Sequence, residues 1–139
     1  MINISKELAQ KISFHGEKTY PEECCGAILG IDQDGVRMVK EVHEIHNAQD
    51  ASRDRRFLVT PDQYQNAERA AKEKHFELLG FYHSHPNHPA EPSQFDLEHA
   101  MPWFSYVIVS VMGGRAGHMT AWVLNESRKR FDEQSLNIV

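Results

Sequence analysis

The sequence predicts an α/β fold, a mixed, curved β-sheet flanked by helices. Three observations carry that prediction: apolar residues at helical spacing near the N-terminus, a second helix with a full set of start signals mid-chain, and short runs of β-forming residues bounded by turn signals around them. At 139 residues the chain fits one domain, residues 1–139, and can bury its apolar side chains without disulfides or repeats.

Taken in order, Ile4, Leu8 and Ile12 recur at helical spacing with Ser5 as N-cap, so a first helix runs to about Thr19, ahead of Pro21. "GAILGI" (Gly26 to Ile31) and "VRMVKEVHEIH" (Val36 to His46) flank "DQDG", where Asp34-Gly35 suits a tight reversal, and form a β-hairpin. "NAQDASRDRR" is a loop and "FLV" a short strand. Thr60-Pro61-Asp62-Gln63 combines an N-cap, a proline at the first helical position and a glutamine that completes a capping box, which starts a second helix running to about Lys74. "ELLGFYHSH" is a strand that stops at Pro86, which has no N–H to donate. After a proline-rich loop, "SQFDLEHA" is a short helix. "WFSYVIVSV" and "HMTAWVL" are strands joined near Gly113-Gly114, with a weaker strand signal from Lys129 to Asp132.

Composition excludes some functions. Fifteen basic against twenty acidic residues give a net charge of -5, and the basic runs "RDRR" and "RKR" are short, so no nucleic-acid partner is expected. The longest apolar run, Tyr106 to Met112, is too short to span a bilayer, so no membrane partner and a cytoplasmic location are expected. Cys24 and Cys25 are neighbours that cannot build a disulfide framework, which fits a reducing compartment. On an extended backbone they point to opposite sides and read as packing groups rather than nucleophiles.

The stretch "GFYHSHPNHPAEPSQFDLEHA", Gly80 to Ala100, carries the chemistry. On a strand His83 and His85 project to the same face; at a helix start Ser93 and Asp96 share one. Two imidazoles and a carboxylate leave the fourth tetrahedral position of Zn²⁺ open to water, which separates a catalytic site from a closed structural one and implies hydrolysis. Alternating histidines alone are commonly half-buried hydrogen-bonding residues. The full spacing, His-x-His-Pro, six residues, Ser-x-x-Asp, brings strand, loop and helix to one point.

His83, His85, Pro86, Ser93 and Asp96 resemble the motif of the JAMM (MPN+, Mov34/PAD-1) metalloprotease family in its minimal prokaryotic form, and the order of elements from Ile4 to about Leu124 resembles it too. The resemblance implies a cytidine-deaminase-like sheet and one Zn²⁺ per chain held by His83, His85 and Asp96. It also implies a general base in "PEECCGAILG", best matched by Glu23 with Glu22 its rival, and an oxyanion donor in Ser93, whose local chemistry is that of an N-cap. The implied reaction is cleavage after the C-terminal Gly-Gly of a ubiquitin-like or sulfur-carrier protein. The chain leaves little room for the insertions with which eukaryotic deubiquitinating relatives grip a ubiquitin chain. Two other classes share parts of the pattern: a non-catalytic MPN scaffold, which typically lacks part of the ligand set, and the DNA-associated RadC family, which shares a similar histidine motif. His88 and His99 flank the motif; the remaining histidines read as surface or packing residues.

Overall fold

The computed structural model of the protein describes residues 1–47, 59–125, 127 and 129–139. Ile2 and Ile4, both fully buried, belong to a short first strand, β1 (Ile2–Ile4). Ser5 ends it and caps α1 (Lys6–Thr19), its Oγ accepting from Leu8 N at 3.1 Å. Ile4, which reads as the first residue of a helical stripe, is therefore a strand residue. The buried stripe of the helix is Ala9, Ile12, His15 and Gly16.

The hairpin pairs β2 (Cys25–Gln33) with β3 (Val36–Ile45), and Asp34 and Gly35 both take positive φ, 54° and 83°, as a tight two-residue reversal requires. Of the expected "FLV" strand, residues 57 and 58 lie outside the described residues and Val59 is in no element. A reciprocal capping box starts α2 (Pro61–Glu73): Gln63 N donates to Thr60 Oγ1 at 3.2 Å, and Thr60 N to Gln63 Oε1 at 2.9 Å. The chain continues through β4 (Glu77–Pro86), α3 (Gln94–His99), β5 (Ser105–Met112), β6 (Arg115–Asn125), β7 (Arg130–Gln134) and β8 (Leu136–Ile138).

These strands form one mixed sheet in the order β7-β6-β5-β4-β2-β3-β1-β8, parallel at β4–β5, β1–β3 and β1–β8 and antiparallel elsewhere. The two edge strands are separated in sequence by Ser135 alone, so the sheet has to curl until its edges nearly meet. The helices show the same curvature. α1 touches β3, β4, β5 and β6, and β3 lies four places from β6 in the order. In a flat sheet that separation is about 19 Å, against a helix about 10 Å across, so only a sheet wrapped around α1 lets it reach both.

Apolar residues fill both faces. Ile12, Ile28, Leu79, Tyr82, Val107 and Val109 pack on the α1 side. Ala27, Leu29, Phe81 and Tyr106 pack with Ala67 and Ala71 of α2 on the other. At the end of the sheet away from the histidines, Arg37 donates to Asp32 at 3.0 Å and to Ser105 Oγ at 2.7 Å, and Ser105 donates to Gln134 at 2.7 Å, a polar tie from β3 across β5 to β7. Among the described residues no helix is long and apolar enough to cross a membrane.

Candidate metal centre

Alternation along β4 decides which side chains meet. Tyr82 faces the α1 core and Phe81 the α2 core, so His83 and His85 follow Phe81 to the α2 face while Ser84 follows Tyr82. Asp96 is brought to the same point by capping chemistry. Ser93 N donates to Asp96 Oδ2 at 2.9 Å and Asp96 N to Ser93 Oγ at 3.1 Å, a capping box that fixes the carboxylate at the first turn of α3. The result is a triangle: His83 Nε2 to His85 Nε2 at 3.1 Å, and each of them to Asp96 Oδ2 at 3.2 Å.

Glu23 reaches this group from the start of β2, where Cys25 lies opposite His83 in the ladder. Glu23, His83 and His85 are all buried, and each offers a ligand atom within 4.8 Å of the others. Glu22 is exposed, so geometry separates the two neighbouring glutamates. His85 Nδ1 lies 2.9 Å from the Pro89 carbonyl and donates to it, which turns a lone pair on Nε2 toward the triangle.

Burial lowers the pKa of His83 against the upward pull of Asp96 and keeps the ring neutral. For Asp96 burial works the other way. The His83 side chain, the neighbouring His85 imidazole and the Ser93 amide overcome it and hold the carboxyl well below the usual range. A histidine pair beside an ionised carboxylate is a donor set for a divalent cation. Burial pushes the thiols of Cys24 and Cys25 up to about 11 and about 12, so both are protonated packing groups near neutral pH.

The loop between β4 and α3 is held by residues that the sequence reading passed over. Asn87 N donates to Val111 O at 2.7 Å, Ser110 Oγ to His88 O at 2.6 Å, and Thr120 Oγ1 to Ala90 O at 2.6 Å. The polar interruptions of β5 and β6 at Ser110 and Thr120 were the available signal. Two clefts meet at the triangle. One, about 330 Å³, is apolar, and its lining includes Tyr64, Phe81, Tyr106 and Phe131 together with His83 and Asp96. The other, about 430 Å³, is more polar and includes Glu23, His85, His88, Glu91 and Ser93 in its lining. Pro92 and Phe95 line both. His99 stacks on Phe95 at 4.1 Å along the apolar cleft.

A curled mixed sheet around one helix, with a histidine pair on β4 facing an aspartate on α3, defines a protein of the JAB/MPN fold. The model for prokaryotic homologs of the JAB domain matches residues 5–125, and the chain belongs to that family. It is 32% identical over 110 residues to a desampylase from Haloferax volcanii, covering 78% of this chain and 76% of the relative. With a desampylase from Pyrococcus furiosus it shares 28% identity over 107 residues, 77% of this chain and 70% of the relative. Among solved structures, a protein from Desulfitobacterium hafniense superposes with a TM-score of 0.87 at 24% identity, covering 100% of this chain and 93% of that one. A JAB1/MPN domain protein from Archaeoglobus fulgidus superposes with a TM-score of 0.61 at 18% identity, covering 100% and 97%.

Proposed function

We propose that the protein is a zinc-dependent hydrolase that cleaves a peptide or isopeptide bond after the C-terminal Gly-Gly of a ubiquitin-like or sulfur-carrier protein. The observation that carries the reading is the triangle of donor atoms at 3.1, 3.2 and 3.2 Å. Atoms bound to a tetrahedral zinc at about 2.0–2.1 Å lie about 3.3–3.4 Å apart, so the three need almost no rearrangement to hold it. His83, His85 and Asp96 would then hold one zinc per chain. The name desampylase, carried by two relatives, and the motif's resemblance to JAMM metalloproteases support the substrate class. Two free, buried cysteines support a cytoplasmic setting.

Bound zinc lowers the pKa of water to about 7 and polarises a carbonyl. The chain's own groups do the rest. Glu23 takes a proton from the attacking water and passes it to the departing amine nitrogen. Ser93 Oγ already accepts from Asp96 N, and that bond uses a lone pair. The hydroxyl proton stays available to donate to the oxygen of the scissile carbonyl, so capping and oxyanion stabilisation use opposite ends of one group. Pro89 keeps His85 oriented throughout. Glycines on the acyl side let the reacting carbonyl come close to these groups without a Cβ in the way.

Glu23→Gln tests the assignment. It should retain metal and lose turnover by about 10²- to 10⁴-fold, the usual contribution of a general acid-base group, while Glu22→Gln stays near wild type. Near-wild-type turnover in Glu23→Gln, with Glu22→Gln inactive, would show that the wrong glutamate has been chosen.

A further inference from the structure

Glu23 precedes β2, so the sheet ladder itself does not fix its side chain. The ladder between β2 and β4 begins at Cys25 opposite His83. The peptide that joins Glu23 to Cys24 is instead gripped at both of its polar ends. Its N–H, from Cys24, donates to Ser84 Oγ at 2.9 Å. Its carbonyl, from Glu23, accepts from Asn47 Nδ2 at 3.3 Å. Cys24 O in turn accepts from Ser84 N at 3.2 Å, so Ser84 contacts this turn of chain through both backbone and side chain. Ser84 is fully buried and Asn47 nearly so, which removes water as a competing partner.

We infer that Ser84 and Asn47 are positioning residues that clamp the Glu23–Cys24 peptide and thereby aim the Glu23 carboxylate at the substrate water, an inference that rests on the reading of Glu23 as the general base. The placement of Ser84 is economical in registry. It lies between the two histidines in sequence, on the opposite face of β4, so the residues that hold the metal and the residue that fixes the base are set by one strand. The histidines themselves are held by the parallel ladder to β5, in which His83 lies opposite Ile108 and His85 opposite Ser110. Removing the Ser84 hydroxyl leaves that ladder intact and loosens only the peptide that carries Glu23. Loss of the clamp therefore acts on the chemical step and not on metal or substrate affinity.

The test compares kcat, KM and zinc affinity of Ser84→Ala, Ser84→Thr and Asn47→Ala with wild type and Glu23→Gln, each expressed per zinc-loaded folded chain, on a ubiquitin-like protein carrying a peptide after Gly-Gly. A displacement of about 1 Å at a reacting group costs about 10²-fold, so Ser84→Ala should lower kcat by about 10- to 100-fold with KM and zinc affinity within about threefold. Ser84→Thr, which keeps the hydroxyl, should recover most of it. If Ser84→Ala does not fold, Asn47→Ala, which releases the other end of the same peptide, is read by the same criteria. Wild-type kcat in the folded clamp variant, or a loss matched by loss of zinc, overturns the clamp while Glu23→Gln remains inactive. A Glu23→Gln variant with wild-type turnover overturns the reading of Glu23 beneath it.

Discussion

Gly26→Ala is a severe substitution for a single methyl group, and its cost can be worked from the packing. A Cβ at Gly26 would lie 2.1 Å from Cε2, 2.3 Å from Cζ and 2.4 Å from Oη of Tyr82, far inside van der Waals contact. Tyr82 cannot simply swing away, because it is 1% exposed and its hydroxyl meets His15 Nδ1 at 2.7 Å. Overpacking of this kind costs about 1–3 kcal/mol and the lost hydrogen bond about 1 kcal/mol, together about 2–4 kcal/mol. At about 2.1 cal/mol/K per residue the chain's unfolding entropy is about 0.29 kcal/mol/K, so the expected fall in Tm is about 7–14 °C. Thermal unfolding by circular dichroism reads this directly. Since Tyr82 precedes His83 on β4, weakened zinc retention should accompany the loss. Tyr82→Leu in the same chain should relieve the clash, making the double variant less destabilised than the sum of the two single ones. A Tm within about 2 °C of wild type for Gly26→Ala, or additive losses, would refute the packing argument.

Two further outcomes follow from the site and its surroundings. Asp96→Asn keeps an oxygen for the Ser93 amide but removes the charged ligand. Sharing about 10–16 kcal/mol of zinc binding among four ligands gives about 10²- to 10³-fold weaker affinity, measurable by chelator competition, and unchanged affinity would exclude Asp96 as a ligand. Burial lowers the pKa of His15, with Glu44 opposing and Lys18 assisting. The folded ring therefore stays neutral where the unfolded one, near 6.5, takes a proton. The unfolded state then binds more protons, so stability is lost as pH falls below about 6.5, until the folded ring itself protonates. His15→Gln should flatten the fall in Tm between about pH 7.5 and 5.5 relative to wild type, and an equally steep curve would contradict the assignment.

Much of the site was legible because its spacing is enforced by local chemistry. A histidine pair two apart on a strand has to share a face, and Ser93 and Asp96 sit where a capping box forms, as Thr60 and Gln63 do at α2. What lay beyond the sequence depends on contacts distant along the chain. β1 is too short to show a period of its own, so Ile4 reads as helical, and β8 carries only Leu136, Asn137 and Ile138. Neither strand declares itself until Ile2 and Ile4 pair with Leu136 and Ile138. The closure of the sheet follows from that pairing, and no local pattern announces it. The motif resemblance ranks Glu23 above Glu22 only by its offset from the strand, and it is burial beside His83 and His85, with Glu22 exposed, that tells the two apart physically. Asn47, more than twenty residues from Glu23, gave no sign of its contact with the Glu23 carbonyl.

The central claim is zinc-dependent hydrolysis after Gly-Gly. It is tested most directly by incubating the zinc-loaded protein with a sulfur-carrier or ubiquitin-like protein extended by a short peptide after Gly-Gly, beside the same fusion carrying Val-Val, and following both by intact mass with and without a chelator. The account predicts a single cut after the second glycine, little cleavage of the Val-Val fusion, loss of activity on chelation and its return with added zinc. Equal cleavage of both fusions, or cleavage that survives removal of the metal, would contradict it.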